Sequence, residues 1–340
     1  MVQVAAWLDQ LVEPTPVDPE LIEQLRSQLD AVAAAVTSGL PSEVLPLRLP
    51  KSRLADLDRC ERTALARFRA LSTDGPSSDA ALRGVAVDRF VAHQLVAGRV
   101  LDPVESLTSM LAAEAEWSPL ARLDELSEHE AAQLIDPLAT LVAEGWSGIA
   151  AQWEPRAQSR AMVVLGDGAV VCSSVVDVEL GGPSTTLPSV VVEVKSGRPV
   201  AAHQSEAYLY GLLVALRDRV APIEVARWYP GSDIAAVPVS AGLLESAAVR
   251  VQDGIRRWAQ LVDGRPPAES PGVWCRWCPE AEACPSAEPT AGASGATRTA
   301  PAAGPTTQDA TALAGAVVDS SGFGDLDDDP DDDLGPEWTG

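Results

Sequence analysis

The sequence predicts an α/β protein: a mixed sheet flanked by helices, with a helical N-terminal region before it and a disordered acidic tail after it. Three observations point there. Hydrophobic spacing is helical to about Trp153, changes to short strand-like runs from Ala161, and disappears after Cys284. Gly166-Asp167-Gly168 separates two of those runs and supplies the positive φ that a tight hairpin turn needs. Leu, Val and Ala dominate a hydrophobic content of 46%, and nine Trp add bulk, so 340 residues can bury one sizeable core.

The elements follow in order. Residues 1–45 read as two amphipathic helices separated by Pro14-Thr15-Pro16, the second over about Pro19 to Val36. From Lys51 to Ala70, Leu54, Leu57, Ala64, Leu65 and Phe68 recur at helical spacing, and Ser72 to Ser78 supplies turn residues. Arg83 to Leu95 and Glu128 to Trp153 are helical again. Strands are expected over Ala161 to Leu165 and Ala169 to Leu180; Gly181-Gly182-Pro183 then breaks the chain before a buried strand, Val190 to Val194. A helix follows over Ala202 to Arg217, then strands over Ile223 to Tyr229 and Ile234 to Val239, then a helix over Leu243 to Val262. The expected organisation is a helical region at 1–75, a sheet-containing core at 76–285, and a tail at 286–340 whose Ala, Thr, Pro, Gly and Asp lack periodicity.

The formal charge of −24 argues at first against a polyanionic partner. Its distribution softens the objection, because residues 286–340 hold eleven acids and a single base, Arg298. Within Arg48 to Arg69, seven bases face three acids, a local +4 and the natural candidate for a phosphate-contacting surface. The N-terminus lacks a basic segment followed by an apolar stretch, and no apolar run is long enough to span a bilayer. A cytoplasmic location without membrane partners is therefore expected.

Only two of the 25 basic residues are lysines. One, Lys195, closes Val190-Val-Val-Glu193-Val-Lys195 at the end of an apolar strand. Side chains two apart on a strand share a face, so Glu193 and Lys195 lie side by side. Asp177, sixteen residues before Glu193 on a neighbouring strand, can project toward the same point. Two such carboxylates suit Mg²⁺ or Mn²⁺, which bind few carboxylates and complete their shell with water and substrate phosphate. A lysine beside them can orient a water or stabilise developing charge. An isolated Glu-x-Lys is more often a solvated pair, but Glu193 sits in an apolar strand where an unpaired carboxylate is costly.

Five cysteines are an odd number for a disulfide framework, and their clustering points to metal. Cys275, Cys278 and Cys284 form C-x2-C-x5-C; three thiolates need a fourth ligand, and Cys60 is the candidate. Cys172, in a valine-rich strand, reads as a small core residue. His93 and His203 read as packed or surface histidines.

At these residues the chain resembles the PD-(D/E)XK nucleases, in particular their RecB-type branch, over roughly Arg83 to Cys284. Asp177 matches the first acid, Glu193-Val-Lys195 the acid-x-lysine, and Gln204-Ser-Glu-Ala-Tyr208 the Gln-x-x-x-Tyr helix motif. The resemblance implies a restriction-endonuclease-like core and a Mg²⁺- or Mn²⁺-dependent deoxyribonuclease of RecB-like exonuclease type, acting on DNA in repair or recombination. It gives Gln204 and Tyr208 a part in positioning the substrate and the lysine. Asp88 in Gly84-Val-Ala-Val-Asp88 stands where the family often carries a metal-ligating His, and can supply an oxygen instead. Lys51-Ser-Arg-Leu through Cys60 resembles the segment before the core in family members that hold a [4Fe-4S] cluster with one cysteine ahead of the core and three after it. Zinc on the same four thiolates is the alternative. No P-loop occurs, so a separate helicase or repair partner would have to unwind DNA. The competing reading is a nuclease-fold DNA-binding or scaffold subunit without catalysis.

Overall fold

A computed structural model describes residues 3–11, 16–69, 79–98, 100–114 and 127–287. The expected tail beyond 287 and the turn at Ser72 to Ser78 lie outside these residues, as do Pro14 and Thr15. Among the described residues the sheet has six strands: β1 (Leu47–Pro50), β2 (Arg156–Leu165), β3 (Val170–Leu180), β4 (Val190–Val194), β5 (Glu224–Trp228) and β6 (Ala235–Pro238). β3 is its trunk. β2 runs antiparallel along it, from Arg156 opposite Glu179 to Leu165 opposite Val170. On its other edge β1 pairs parallel with residues 170–173, and β4 pairs antiparallel with residues 178–180. β5 continues parallel to β4, and β6 closes antiparallel to β5.

Helices cover both faces. α2 (Pro19–Thr37), α3 (Lys51–Arg59), α4 (Glu61–Arg69), α8 (Ala202–Asp218) and α9 (Ala241–Val262) build one core with Val191 and Val225 of the sheet. α1 (Val4–Leu8), α5 (Asp79–Ala97), α6 (Pro103–Glu114) and α7 (Glu128–Gly145) build the other with Val190, Val192, Val194 and Ala226. Successive residues of β4 thus feed opposite cores, which explains why this short strand is apolar throughout except at Glu193. The hairpin turn forms as the sequence requires, with Gly166, Asp167 and Gly168 at φ 56°, 54° and 94°.

Several elements differ from expectation. β1 lies inside the region read as helical; its Leu47-Arg48-Leu49 alternation is too short to single out a strand, and β3 offers it a partner edge. The helix expected over Lys51 to Ala70 breaks at Cys60, whose extended backbone (φ −164°, ψ 120°) turns α3 into α4. The helix expected over Glu128 to Trp153 ends at Gly145, and Gly148 at φ 78° turns the chain before a short 3₁₀ segment at Ala151–Trp153. The β2–β3 ladder skips Gln158 and Asp177: Gln158 adopts φ 53°, and across Asp177 the inward residues change core, Val176 on one face and Val178 on the other. That break sits at the first candidate metal ligand. Among the described residues no helix is long and apolar enough to cross a membrane.

Candidate active site

Asp177, Glu193 and Lys195 come together where β3 and β4 run side by side. The N–H of Val194, between Glu193 and Lys195, donates to Asp177 Oδ2 at 2.6 Å, so one hydrogen bond fixes the carboxylate of β3 against the end of β4. Lys195 is the first residue past β4, and its N–H still donates to Trp228 O at 3.0 Å, which continues the β4–β5 ladder under the site. Its Nζ lies 2.7 Å from Glu193 Oε1 and 3.0 Å from Glu206 Oε2. Glu193 is 0% exposed and Lys195 5%. At such burial the solvation lost by each charge has to be replaced by its partner.

Two further side chains enter from the helical layer. Lys51, the first residue of α3, donates from Nζ to Tyr210 Oη at 2.9 Å and stands 3.5 Å from Glu193 Oε1. Tyr210 and Glu206 belong to α8. The result is a buried string, Tyr210–Lys51–Glu193–Lys195–Glu206, in which opposite charges alternate. Burial raises the Glu206 carboxyl, but the charges of Lys195 and Lys51 and the Lys195 hydrogen bond outweigh it and hold Glu206 well below the usual carboxylate range. Beside the string, His203 Nδ1 and Tyr229 Oη are 2.9 Å apart, and burial pushes the Tyr229 hydroxyl up.

Gln204 and Tyr208 occupy the more exposed side of α8 and bond to each other, Gln204 Nε2 donating to Tyr208 Oη. The α8 residues that reach the lysines are the alternate pair, Glu206 and Tyr210. Asp88 is buried on α5, in the layer on the other face of the sheet. The periodicity of the helix containing Gln204 and Tyr208 could have flagged Glu206 as an acid on its buried side. Nothing in linear order ties Lys51 to Glu193.

The four clustered cysteines share one cavity. Cys60, Cys275, Cys278 and Cys284 line it together with Thr63 and Glu269. Cys275 lies within a 3₁₀ turn (Val273–Trp277) that ends at Cys278, and the N–H of Gly272 donates to Cys275 Sγ at 3.4 Å. All the cysteines are free thiols. Their shared cavity and donor chemistry fit a four-thiolate centre, although among the described residues no group of three or more His, Cys, Asp and Glu is arranged as a metal site. Cys172 is elsewhere, in the main core, where burial pushes its thiol up to about 12. The chain expected to become tail at 286 continues past the cavity to Ala287, which packs with Cys275 and Cys284.

Ion pairs brace the corner around Cys60. Glu61 accepts from Arg257 Nε, Arg265 Nη2 and the N–H of Ala268, each at 2.8 Å. Arg62 donates to Glu269 at 2.6 Å and to Glu280 at 3.1 Å. These contacts join α4 to chain some 200 positions further on. They also show how the charges of the stretch Arg48 to Arg69 are engaged. Arg62 and Arg69 pair with Glu280, Arg67 pairs with Asp56, Arg53 stacks 4.2 Å over the Trp258 ring, and Lys51 is buried. The acids of the stretch are engaged as well, Asp58 by Arg250 and Glu61 by Arg257 and Arg265, so the outside bases offset the outside acids.

No family model and no curated protein matches this chain. Among solved structures it is similar to one described as "Crystal structure of SSO0001", with 14% sequence identity, a TM-score of 0.31, and coverage of 78% of this chain and 96% of that one.

Proposed function

We propose that this chain is a divalent-metal-dependent deoxyribonuclease of the PD-(D/E)XK superfamily, RecB-type, built on a restriction-endonuclease-like core, and that Cys60, Cys275, Cys278 and Cys284 hold a [4Fe-4S] cluster. One observation carries the reading. An acid on β3 and an acid-x-lysine at the end of β4, sixteen residues apart in sequence, meet in one buried cluster joined by the Val194 to Asp177 hydrogen bond. Asp177 and Glu193 would hold Mg²⁺ or Mn²⁺, and the ion would supply the Lewis acid that polarises a phosphodiester. Lys195, clamped by Glu193 and Glu206, presents a fixed ammonium that stabilises negative charge developing on the phosphate. Gln204 and Tyr208, on the more exposed side of α8, would position the strand. The four cysteines would staple the two ends of the fold, where the Glu61 and Arg62 ion pairs already join them.

The test is cleavage of labelled single- and double-stranded DNA by anaerobically purified protein with Mg²⁺ or Mn²⁺. Wild type should cleave and Lys195→Ala should not; equal activity in the two sinks the assignment. Iron and sulfide in the same preparation support the cluster, whereas zinc without iron removes it. A second reading, a nuclease-fold subunit that binds DNA without cutting it, is favoured by the two lysines already paired with Glu193. It predicts DNA binding that is unaffected by metal and yields no product.

A further inference from the structure

The sequence contains two lysines, and the fold brings both to the same carboxylate oxygen. Lys195 Nζ is 2.7 Å and Lys51 Nζ 3.5 Å from Glu193 Oε1, although 142 residues separate Lys51 from Glu193. Lys51 is 2% exposed. Burying an ammonium costs several kcal/mol that packing alone does not return, and a Leu or Met would fill the same space without that cost. The Lys51 side chain has been given two supports, the Tyr210 hydroxyl at 2.9 Å and the Tyr210 ring with its centroid at 5.0 Å, so its ammonium is held in place. Its charge also reaches Glu206.

Charge counting around this point gives the consequence. Asp177, Glu193 and Glu206 contribute three carboxylates, and Lys51 and Lys195 contribute two ammoniums. A divalent cation would meet a site already close to neutral. A phosphodiester adds one negative charge and restores the imbalance that favours the ion.

We infer that Lys51 is the built-in counter-cation of the candidate metal site, holding Glu193 in place when no metal is bound and keeping divalent-cation affinity low until an anionic substrate arrives. This rests on the metal-site reading proposed above. Lys51 acts through Glu193 and is a positioning residue.

The experiment is Mn²⁺ binding to the full chain, read both by titration of free Mn²⁺ and by the Mn²⁺-dependent rise in Tm, without DNA. Lys51→Met and Lys51→Gln remove the charge and should tighten Mn²⁺ binding by about tenfold or more, since a charge a few ångströms away acts strongly at low effective dielectric. Lys51→Arg keeps the charge and should stay within about threefold of wild type. A neutral variant too unstable to titrate should still gain more Tm from Mn²⁺ than wild type does, because the ion replaces the missing cation. Unchanged or weaker Mn²⁺ binding in the neutral variants, no Mn²⁺ rescue of an unstable one, or equal tightening in Lys51→Arg overturns the inference. Asp177→Asn separates the two levels: if Lys51→Met/Asp177→Asn binds Mn²⁺ as Lys51→Met does, or if neither wild type nor Lys51→Met binds Mn²⁺, the metal-site reading fails and takes this inference with it.

Discussion

Glu61 offers the sharpest quantitative test of how the corner beside Cys60 is held. Its side chain is 5% exposed and accepts three hydrogen bonds at 2.8 Å, from Arg257, Arg265 and the N–H of Ala268. Burial alone would raise its pKa, but the bonds from Arg265, Ala268 and Arg257 outweigh it and bring the value from 4.5 down to about 2. The folded state therefore holds the ionised form more tightly than the unfolded chain does. That difference corresponds to about 3 kcal/mol, fully present above about pH 5 and lost as the pH falls toward 2. Glu61→Gln keeps the size of the side chain and removes the charge. It should lower the unfolding free energy by about 2–3 kcal/mol at neutral pH, and the gap to wild type should close steadily below pH 4.5. Urea unfolding followed by Trp fluorescence at a series of pH values between 7 and 2.5 measures both curves. A variant within about 1 kcal/mol of wild type at pH 7, or two curves that fall in parallel with pH, would refute the argument that these bonds hold the carboxylate.

Two further predictions concern the sheet and its helical cover. Glu179 is 0% exposed and receives Arg217 at 2.8 and 2.9 Å and Arg156 at 3.1 Å, so Arg217→Met should cost about 3 kcal/mol by leaving a buried carboxylate with Arg156 alone. The double variant Glu179→Leu/Arg217→Met should recover most of that loss in the same denaturation assay, and an equally unstable double variant would contradict the cause. A methyl group at Gly145 would meet Trp228 Cζ2 at 2.5 Å, and that ring is fully buried against Trp146. Gly145→Ala should therefore cost about 1–3 kcal/mol and lower the Tm, with an unchanged melt as the contrary result.

Much of the architecture was legible in linear order because it depends on local periodicity. The Gly166–Gly168 turn, β4 and the long helices α2, α8 and α9 fall where apolar spacing and turn residues placed them. The same holds for the meeting of Asp177, Glu193 and Lys195, because a hairpin followed by a neighbouring strand leaves few ways to arrange them. The C-x2-C-x5-C spacing and Cys60 pointed to one shared location, and the four cysteines line one cavity.

The rest depended on contacts between distant parts of the chain. β1 alternates only over Leu47, Arg48 and Leu49, too short a run to single out a strand, and residues 170–173 offer it the edge it pairs with. The break at Gln158 and Asp177 follows from strand pairing, which no single residue type announces. The basic stretch 48–69 reads as a run of charges in sequence, yet the partners of those charges, Glu269 and Glu280 for Arg62 and Arg257 and Arg265 for Glu61, lie some 200 residues away. Lys51 is the clearest case: in sequence it is one base among seven, and only the parallel docking of β1 on β3 and the packing of α3 against α8 put it beside Glu193. Local spacing settles which side chains share a face, because that follows from the backbone repeat. Which charges face one another across a core is a property of packing, and here packing decided the company that the lysine of the acid-x-lysine pair keeps.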